Sequence, residues 1–412
     1  MKRKYWINPF LYITMMILLF TGCQSDHQEG EKQEETNPEI PPIEAEIDPI
    51  KEKIEQMSLE EKIGQMVIVG LDGYTINEQT KAMIDTYHVG GFILYQDNIE
   101  DKNQLLELMN SLKAYNSKNK IPLFLSVDEE GGRVTRMPKE LKNLPTAKVI
   151  GKADQEALAF QVGQALAEKI KIFGFNMNFA PVLDINNNPK NPVIGDRSFG
   201  TEPEVVKRLG ISMMQGMQGE GVISVIKHFP GHGDTSVDSH VGLPRVDKNI
   251  EELRSFELIP FAEAVKNGAD GVMVAHILFP QVDPQYPSSL SKRVVTDILR
   301  KELAFNGVIM TDDMTMGAIA ENYGIGEAAV MAADAGNDIV LVGHSYEREI
   351  EVLNALKAAV ESGKLREGKI DESVYRILLL KEKYRVADAG IEAVNVEAIN
   401  QHTKELINTF QK

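Results

Sequence analysis

From Lys227 to His240 the chain reads Lys-His-Phe-Pro-Gly-His-Gly-Asp-Thr-Ser-Val-Asp-Ser-His. Three of its eight histidines and two aspartates fall within this stretch, a dense set of groups that move protons or bind metal near neutral pH. Asp238-Ser239-His240 places a carboxylate two residues from an imidazole, close enough within a loop to fix the tautomer and raise the basicity of His240. Such a pair can donate a proton and then take one back. The competing chemistry is zinc, for which His228, His232, Asp234, Asp238 and His240 are plausible ligands. Pro230-Gly231 breaks any helix, so His228 and His232 would not share a helical face. The expectation is therefore that no metal is bound.

Thr311-Asp312-Asp313 closes the apolar run Gly307–Met310. A carboxylate at a strand end can attack an electrophilic carbon and form a covalent intermediate. Adjacent strand residues point to opposite sides, so one aspartate should enter a pocket while Asp313 caps a following helix. Asp128-Glu129-Glu130-Gly131-Gly132-Arg133 follows the apolar run from Leu123. Asp128 there could accept hydrogen bonds from sugar hydroxyls, and the two glycines allow a close turn. Arg197, in the glycine-bounded loop Gly195–Gly200, is either a ligand contact or one half of a structural Asp196–Arg197 pair.

These groups need a scaffold that brings strand ends together. Strand-like apolar runs recur at 66–71, 91–95, 123–128, 178–184, 224–228, 271–276, 307–312 and 338–342. Amphipathic helical stretches lie between them, at 103–115, 155–172, 202–218, 251–267 and 327–335. Ser58-Leu59-Glu60-Glu61 is a capping box at a helix start. Continuous apolar strands alternating with helices predict a parallel α/β sheet, and eight units fit a single TIM-like (β/α)8 barrel over residues 50–385. An open doubly wound sheet is the alternative, although no dinucleotide or P-loop glycine fingerprint follows the first strand. Asp128, Asp184, Lys227 with His228, His276, and Asp312 with Asp313 all terminate predicted strands. A barrel would gather them at one mouth.

The flanking segments carry a different message. Lys2, Arg3 and Lys4 precede the apolar run Leu11–Phe20, the pattern of a signal peptide over residues 1–22. Phe20-Thr21-Gly22-Cys23 resembles a bacterial lipobox with Cys23, the sole cysteine, as the lipidated residue. Its removal would take the net charge of −17 down by the three charges of Lys2, Arg3 and Lys4, to −20. Residues 23–49 are rich in Glu, Gln and Pro and predict a solvated tether. Residues 386–412 predict a helical tail. An acidic chain of this kind is a poor candidate for binding nucleic acid, and one cysteine allows neither an internal disulfide nor a thiolate cluster.

Taken together, the motifs resemble glycoside hydrolase family 3, and within it the bacterial β-N-acetylglucosaminidase (β-hexosaminidase) branch in lipoprotein form. The resemblance spans roughly residues 57–343 and rests above all on Lys227–Gly233 combined with Asp238-Ser239-His240. It also takes in Met57–Met66, the Asp128 segment, Gly195–Phe199 and Thr311–Met314. It implies a TIM-like barrel with Asp312 as nucleophile and His240 as general acid/base held by Asp238. It further implies that Asp128, Arg136, Arg197, Lys227 and His228 bind a terminal N-acetylglucosamine (GlcNAc). The implied activity is retaining removal of non-reducing GlcNAc from cell-wall (peptidoglycan) fragments, with no cofactor. The expected partners are a GlcNAc-containing muropeptide or oligosaccharide and, through Cys23, the outer face of the cell membrane. The expected state is a monomer. The alternatives are a GlcNAc phosphorylase of the same family and a sugar-binding lipoprotein without catalysis. Family members that act on glucosides and xylosides usually take their acid/base from another region, whereas this sequence carries its own Asp-Ser-His.

Overall fold

Each predicted apolar run supplies one strand. They are β1 (Val67–Val69), β2 (Gly91–Leu94), β3 (Phe124–Val127), β4 (Met177–Asn178), β5 (Ile223–Phe229), β6 (Gly271–Val274), β7 (Val308–Thr311) and β8 (Val340–Val342). The computed structural model describes residues 48–410. The expected signal peptide, Cys23 and the tether up to residue 47 lie outside the described residues. The strands run in the order β7-β6-β5-β4-β3-β2-β1-β8, every neighbouring pair parallel. A parallel bridge between Met310 and Ile339 joins the two ends, and Thr311 N donates to Ile339 O at 3.0 Å. The sheet therefore curls into a nearly closed eight-stranded barrel. The open doubly wound alternative is excluded.

Every residue of the eight strands is buried, which is why the sequence shows apolar runs rather than alternation. Helices cover the outside. The capping box forms as expected, with Glu61 N donating to Ser58 Oγ at 3.2 Å and Ser58 N to Glu61 Oε2 at 2.8 Å. Helices Glu156–Lys171 and Pro203–Gly219 pack with their backbones in close approach. A Cβ at Gly163 would sit 2.1 Å from the Met213 carbonyl oxygen.

Two elements differ from expectation. The predicted helix over 251–267 is two helices, Ile250–Ser255 and Leu258–Lys266. Pro260 lacks the amide that would bond the Phe256 carbonyl in a continuous helix. The predicted strand over 178–184 is regular only at Met177–Asn178. Pro181 interrupts it, having no N–H for the ladder; beyond it the chain regains β5 through a Val182–Lys227 bridge. Past Tyr384 an irregular segment leads to helix Val396–Thr409, which packs on helix Glu156–Lys171.

The end of the barrel opposite the strand C-termini is closed by Lys381, from helix Glu367–Lys383. Its ammonium donates to Gln65 Oε1 (2.7 Å), Gly90 O (2.9 Å) and Pro122 O (2.7 Å) and lies 4.5 Å from the Phe124 ring centre. Burial pushes its pKa down to about 7, while three acceptors match its three N–H donors. Lys381→Met would leave those acceptors buried and unpaired, so we expect a loss of about 1–3 kcal/mol. Urea denaturation checks this, and an unchanged midpoint would show that water satisfies the site.

Candidate active site

The C-terminal ends of the strands open onto a pocket of about 410 Å³. Asp128, Arg136, Arg197, Lys227, His228, Asp238, His240 and Asp312, the eight pocket residues singled out from the sequence, all line it. They arrive from the ends of β3, β5 and β7 and from the loops that follow β3, β4 and β5.

One flank is a lattice of charge. Lys227 Nζ lies 2.5 Å from Asp128 Oδ1 and 2.6 Å from Glu130 Oε1. Arg197 grips Glu130 through two parallel bonds, Nε to Oε2 at 2.8 Å and Nη2 to Oε1 at 2.7 Å, the fork geometry that suits guanidinium and carboxylate. Burial opposes the charge on Glu130, but Arg197 and Lys227 outweigh it and hold its carboxyl well below the usual range. Arg197 Nη2 also lies 3.3 Å from His228 Nε2, and His228 Nδ1 lies 2.6 Å from buried Asp184 Oδ2. Asp196 pairs with Arg133 at 2.8 Å, so the expected alternative of an Asp196–Arg197 pair is replaced by two separate partnerships. Lys227 and His228 are neighbours on a strand yet both reach the pocket. The register between β5 and β6 shifts between Ile226 and Phe229, and such an irregularity re-aims side chains.

Arg136 is set by a buried pair beneath it. Glu129 accepts from Arg136 N at 2.9 Å and pairs with Lys169 at 2.8 Å, both side chains of that pair being fully enclosed. Arg136 Nε is buried and finds no partner among the described residues.

The adjacent aspartates have separate duties. Both line the pocket, so the expectation that only one would enter it is corrected. Asp313 does not cap a helix, since helix Gly317–Ala320 begins after Met316. Instead Asp313 Oδ1 accepts from Thr315 N, Thr315 Oγ1 and Gly343 N at 2.8–2.9 Å, and Oδ2 accepts from Tyr95 Oη at 3.2 Å. Its lone pairs are occupied. Asp312 accepts from Asp313 N at 2.9 Å, its one protein donor among the described residues. Burial disfavours its charge, but His228, His276, the Asp313 amide and His240 prevail, and its carboxyl titrates below the ordinary value. An ionised carboxylate with unshared oxygens facing a pocket is a competent nucleophile.

The histidines divide in the same way. His276 is buried, with Nε2 donating to the Asp313 carbonyl at 3.0 Å and Nδ1 against Ser289 Oγ at 2.7 Å; burial lowers its pKa. His232 is enclosed between Thr235 and Ser239 hydroxyls, at 2.8 and 3.1 Å, and burial pushes it down to about 4. His240 is different: its side chain is 64% exposed, and Nδ1 donates to Asp238 Oδ1 at 2.8 Å. That leaves Nε2 to exchange a proton at the pocket. The loop is hooked down by Gly317 N to His240 O (3.2 Å) and Ala318 N to Ser239 O (3.1 Å). The candidate zinc ligands do not converge: among the described residues no three His, Asp or Glu side chains are placed to hold one ion, and Asp234 pairs with Lys248 at 2.8 Å.

Residues 58–380 match the model of the glycosyl hydrolase family 3 N-terminal domain. The chain belongs to this family of glycoside hydrolases. It is 35% identical over 345 residues to beta-hexosaminidase A of Pseudoalteromonas piscicida, covering 78% of this chain and 58% of that relative. It is also 35% identical over 344 residues to the beta-hexosaminidase of Nitrosomonas eutropha, covering 81% and 97%. A family 3 beta-N-acetylglucosaminidase structure from a Paenibacillus species superposes with a TM-score of 0.81 at 42% identity, covering 85% of this chain and 68% of that one. The family's barrel is thus present together with the pocket residues expected from the motifs.

Sequence reasoning passed over Glu130, Tyr95 and His344. Glu130 carried a signal in the acidic run after β3, but its partner Arg197 lies 67 residues away. Glu130→Gln would leave Arg197 and Lys227 undercompensated in a closed site, so a destabilisation of about 3–5 kcal/mol is expected. Chemical denaturation measures it; a change below about 1 kcal/mol would mean that Asp128 alone balances both cations.

Proposed function

We propose that the protein is a retaining exo-β-N-acetylglucosaminidase. The observation that carries this reading is the pairing, in one pocket, of Asp312 with the exposed His240–Asp238 dyad. The hexosaminidase relatives support an acetylated amino sugar as the ring bound.

In the first step Asp312 attacks the anomeric carbon as the glycosidic bond breaks, and imidazolium His240 gives its Nε2 proton to the leaving oxygen. The products are a glycosyl ester on Asp312 and a free alcohol. Neutral His240 then takes a proton from water, which attacks the same carbon and releases Asp312 and GlcNAc. Two displacements give net retention. Glycosidases commonly use two carboxyl groups; an imidazolium instead is a competent acid near neutral pH and adds no second negative charge beside Asp312. Asp238 holds the ring and offsets its positive charge.

Asp128, Arg136, Arg197, Lys227 and His228 would hold the GlcNAc hydroxyls, which present both donors and acceptors to this charged flank. The proposed substrates are cell-wall fragments with a non-reducing terminal GlcNAc. The proposed location is outside the cytoplasmic membrane, attached through a lipid on Cys23, a reading that rests on the sequence of residues 1–23.

The first test is release of 4-nitrophenol from its N-acetyl-β-D-glucosaminide by residues 48–412, with phosphate and EDTA varied. Free GlcNAc is the expected product. GlcNAc-1-phosphate would identify a phosphorylase, EDTA-sensitive turnover a metalloenzyme, and binding without turnover a sugar-binding protein. Asp312→Ala should slow turnover by about 1,000-fold or more while thermal unfolding is retained; near-normal rates would remove Asp312 as nucleophile. His240→Ala should cost about 100-fold or more on unactivated disaccharides and far less on aryl glycosides, whose leaving groups need little protonation. Equal losses on both would sink the acid role.

A further inference from the structure

Beside the charged flank, the pocket carries an aromatic pair that the proposed chemistry does not use. Tyr95, just past β2, and His344, just past β8, both line the pocket. Their rings stack with centroids 4.5 Å apart and planes inclined by 24°. Tyr95 is fixed through its phenol, which donates to Asp313 Oδ2 at 3.2 Å. His344 is not comparably enclosed: its side chain is 61% exposed, and Nε2 stands 3.8 Å from Asp313 Oδ2, beyond hydrogen-bond reach.

The chain is shaped to present this pair. A Cβ at Gly343 would fall 2.1 Å from Tyr95 Oη and 2.6 Å from Asp313 Oδ2, so only glycine lets the phenol and the carboxylate meet there. Two residues on, Ser345 has a φ of 73°, a left-handed conformation uncommon outside glycine and frequent at ligand-binding positions. One face of the imidazole lies on Tyr95, and the rest of the ring is open to solvent at the mouth.

The mouth also holds the proposed acid. His240 is tied to the segment Thr315–Ala318 through Gly317 N, and Arg348, four residues after His344, reaches Thr315 O at 3.5 Å. His240, Thr315 and His344 all line the pocket, and both histidine side chains are largely exposed, which puts them at its rim. A leaving group protonated by His240 must pass this rim.

We propose that His344, propped by Tyr95, is a specificity-determining residue that stacks on the sugar ring of the leaving group. The inference rests on the glycosidase reading and adds to it the contact that receives the second sugar. Its substrate class is a β-linked disaccharide or oligosaccharide whose second ring offers an apolar C–H face to the imidazole. Burying such a face on an aromatic ring contributes only when that ring exists, so a substrate with a one-atom leaving group makes no use of it.

The experiment measures kcat/KM of the 48–412 protein for N,N′-diacetylchitobiose and for N-acetyl-β-glucosaminyl fluoride, and takes their ratio. For His344→Ala the disaccharide-to-fluoride ratio should fall by about 10-fold, as expected for a lost ring contact. His344→Phe should restore most of it, because the stack on Tyr95 and the aromatic face are retained. Product inhibition by GlcNAc should be unaffected relative to its own turnover loss, since GlcNAc occupies the inner position. A ratio unchanged in His344→Ala, with wild-type turnover of both substrates, would overturn this inference alone. A ratio that falls equally in His344→Ala and His344→Phe would overturn the stacking contact. Wild-type inactivity on both substrates would overturn the glycosidase reading and this inference with it.

Discussion

The pocket depends on charge balance in a place that water hardly reaches. Lys227 sits between Asp128 and Glu130, and Arg197 closes the set by gripping Glu130 from the loop after β4. Removing ions from water is costly, and only partners in good geometry offset that cost. The lattice therefore holds β3, β5 and the Arg197 loop in one arrangement. It also leaves part of each group's hydrogen-bonding capacity directed at the cavity, which is the condition for gripping a ring of hydroxyls.

Asp312 and Asp313 show how environment assigns different work to identical side chains. Asp313 accepts from three segments, Thr315, Gly343 and Tyr95, and so ties β7 to the ends of β8 and β2. Asp312 receives one backbone donor and keeps its remaining lone pairs for the pocket. Hydrogen bonds to a carboxylate lower its nucleophilicity as they lower its basicity. The proposed attacking group is thus the less satisfied of the two.

The proposed acid/base follows a different rule. His240 is on a loop rather than a strand, largely exposed, and held by Asp238 and two backbone hooks to Gly317 and Ala318. Buried His232 and His276 are pushed toward the neutral form by desolvation. A group that must both donate and accept a proton is better served at the wet edge, where either charge state is tolerated.

The sequence by itself determined whatever short covalent spacing controls. Apolar runs marked all eight strands because burial on both sides admits little else, and Asp238 reached His240 because two residues of loop allow it. Asp312 was legible as the polar end of β7. Strand 178–184 was read too long, although Pro181 stood in the sequence as a warning. Tertiary structure alone decided which distant charges would meet. Glu130 found Arg197 across 67 residues, and Tyr95 found Asp313 across 218. Those pairings exist only once the barrel forms and brings the loops after β3 and β4 together and the ends of β2 and β7 to one rim, and no local pattern encodes them. The same closure turned Asp313 from an expected helix cap into a cross-strand tie, because besides its neighbour Thr315 it accepts from Gly343 and Tyr95, which are remote in sequence.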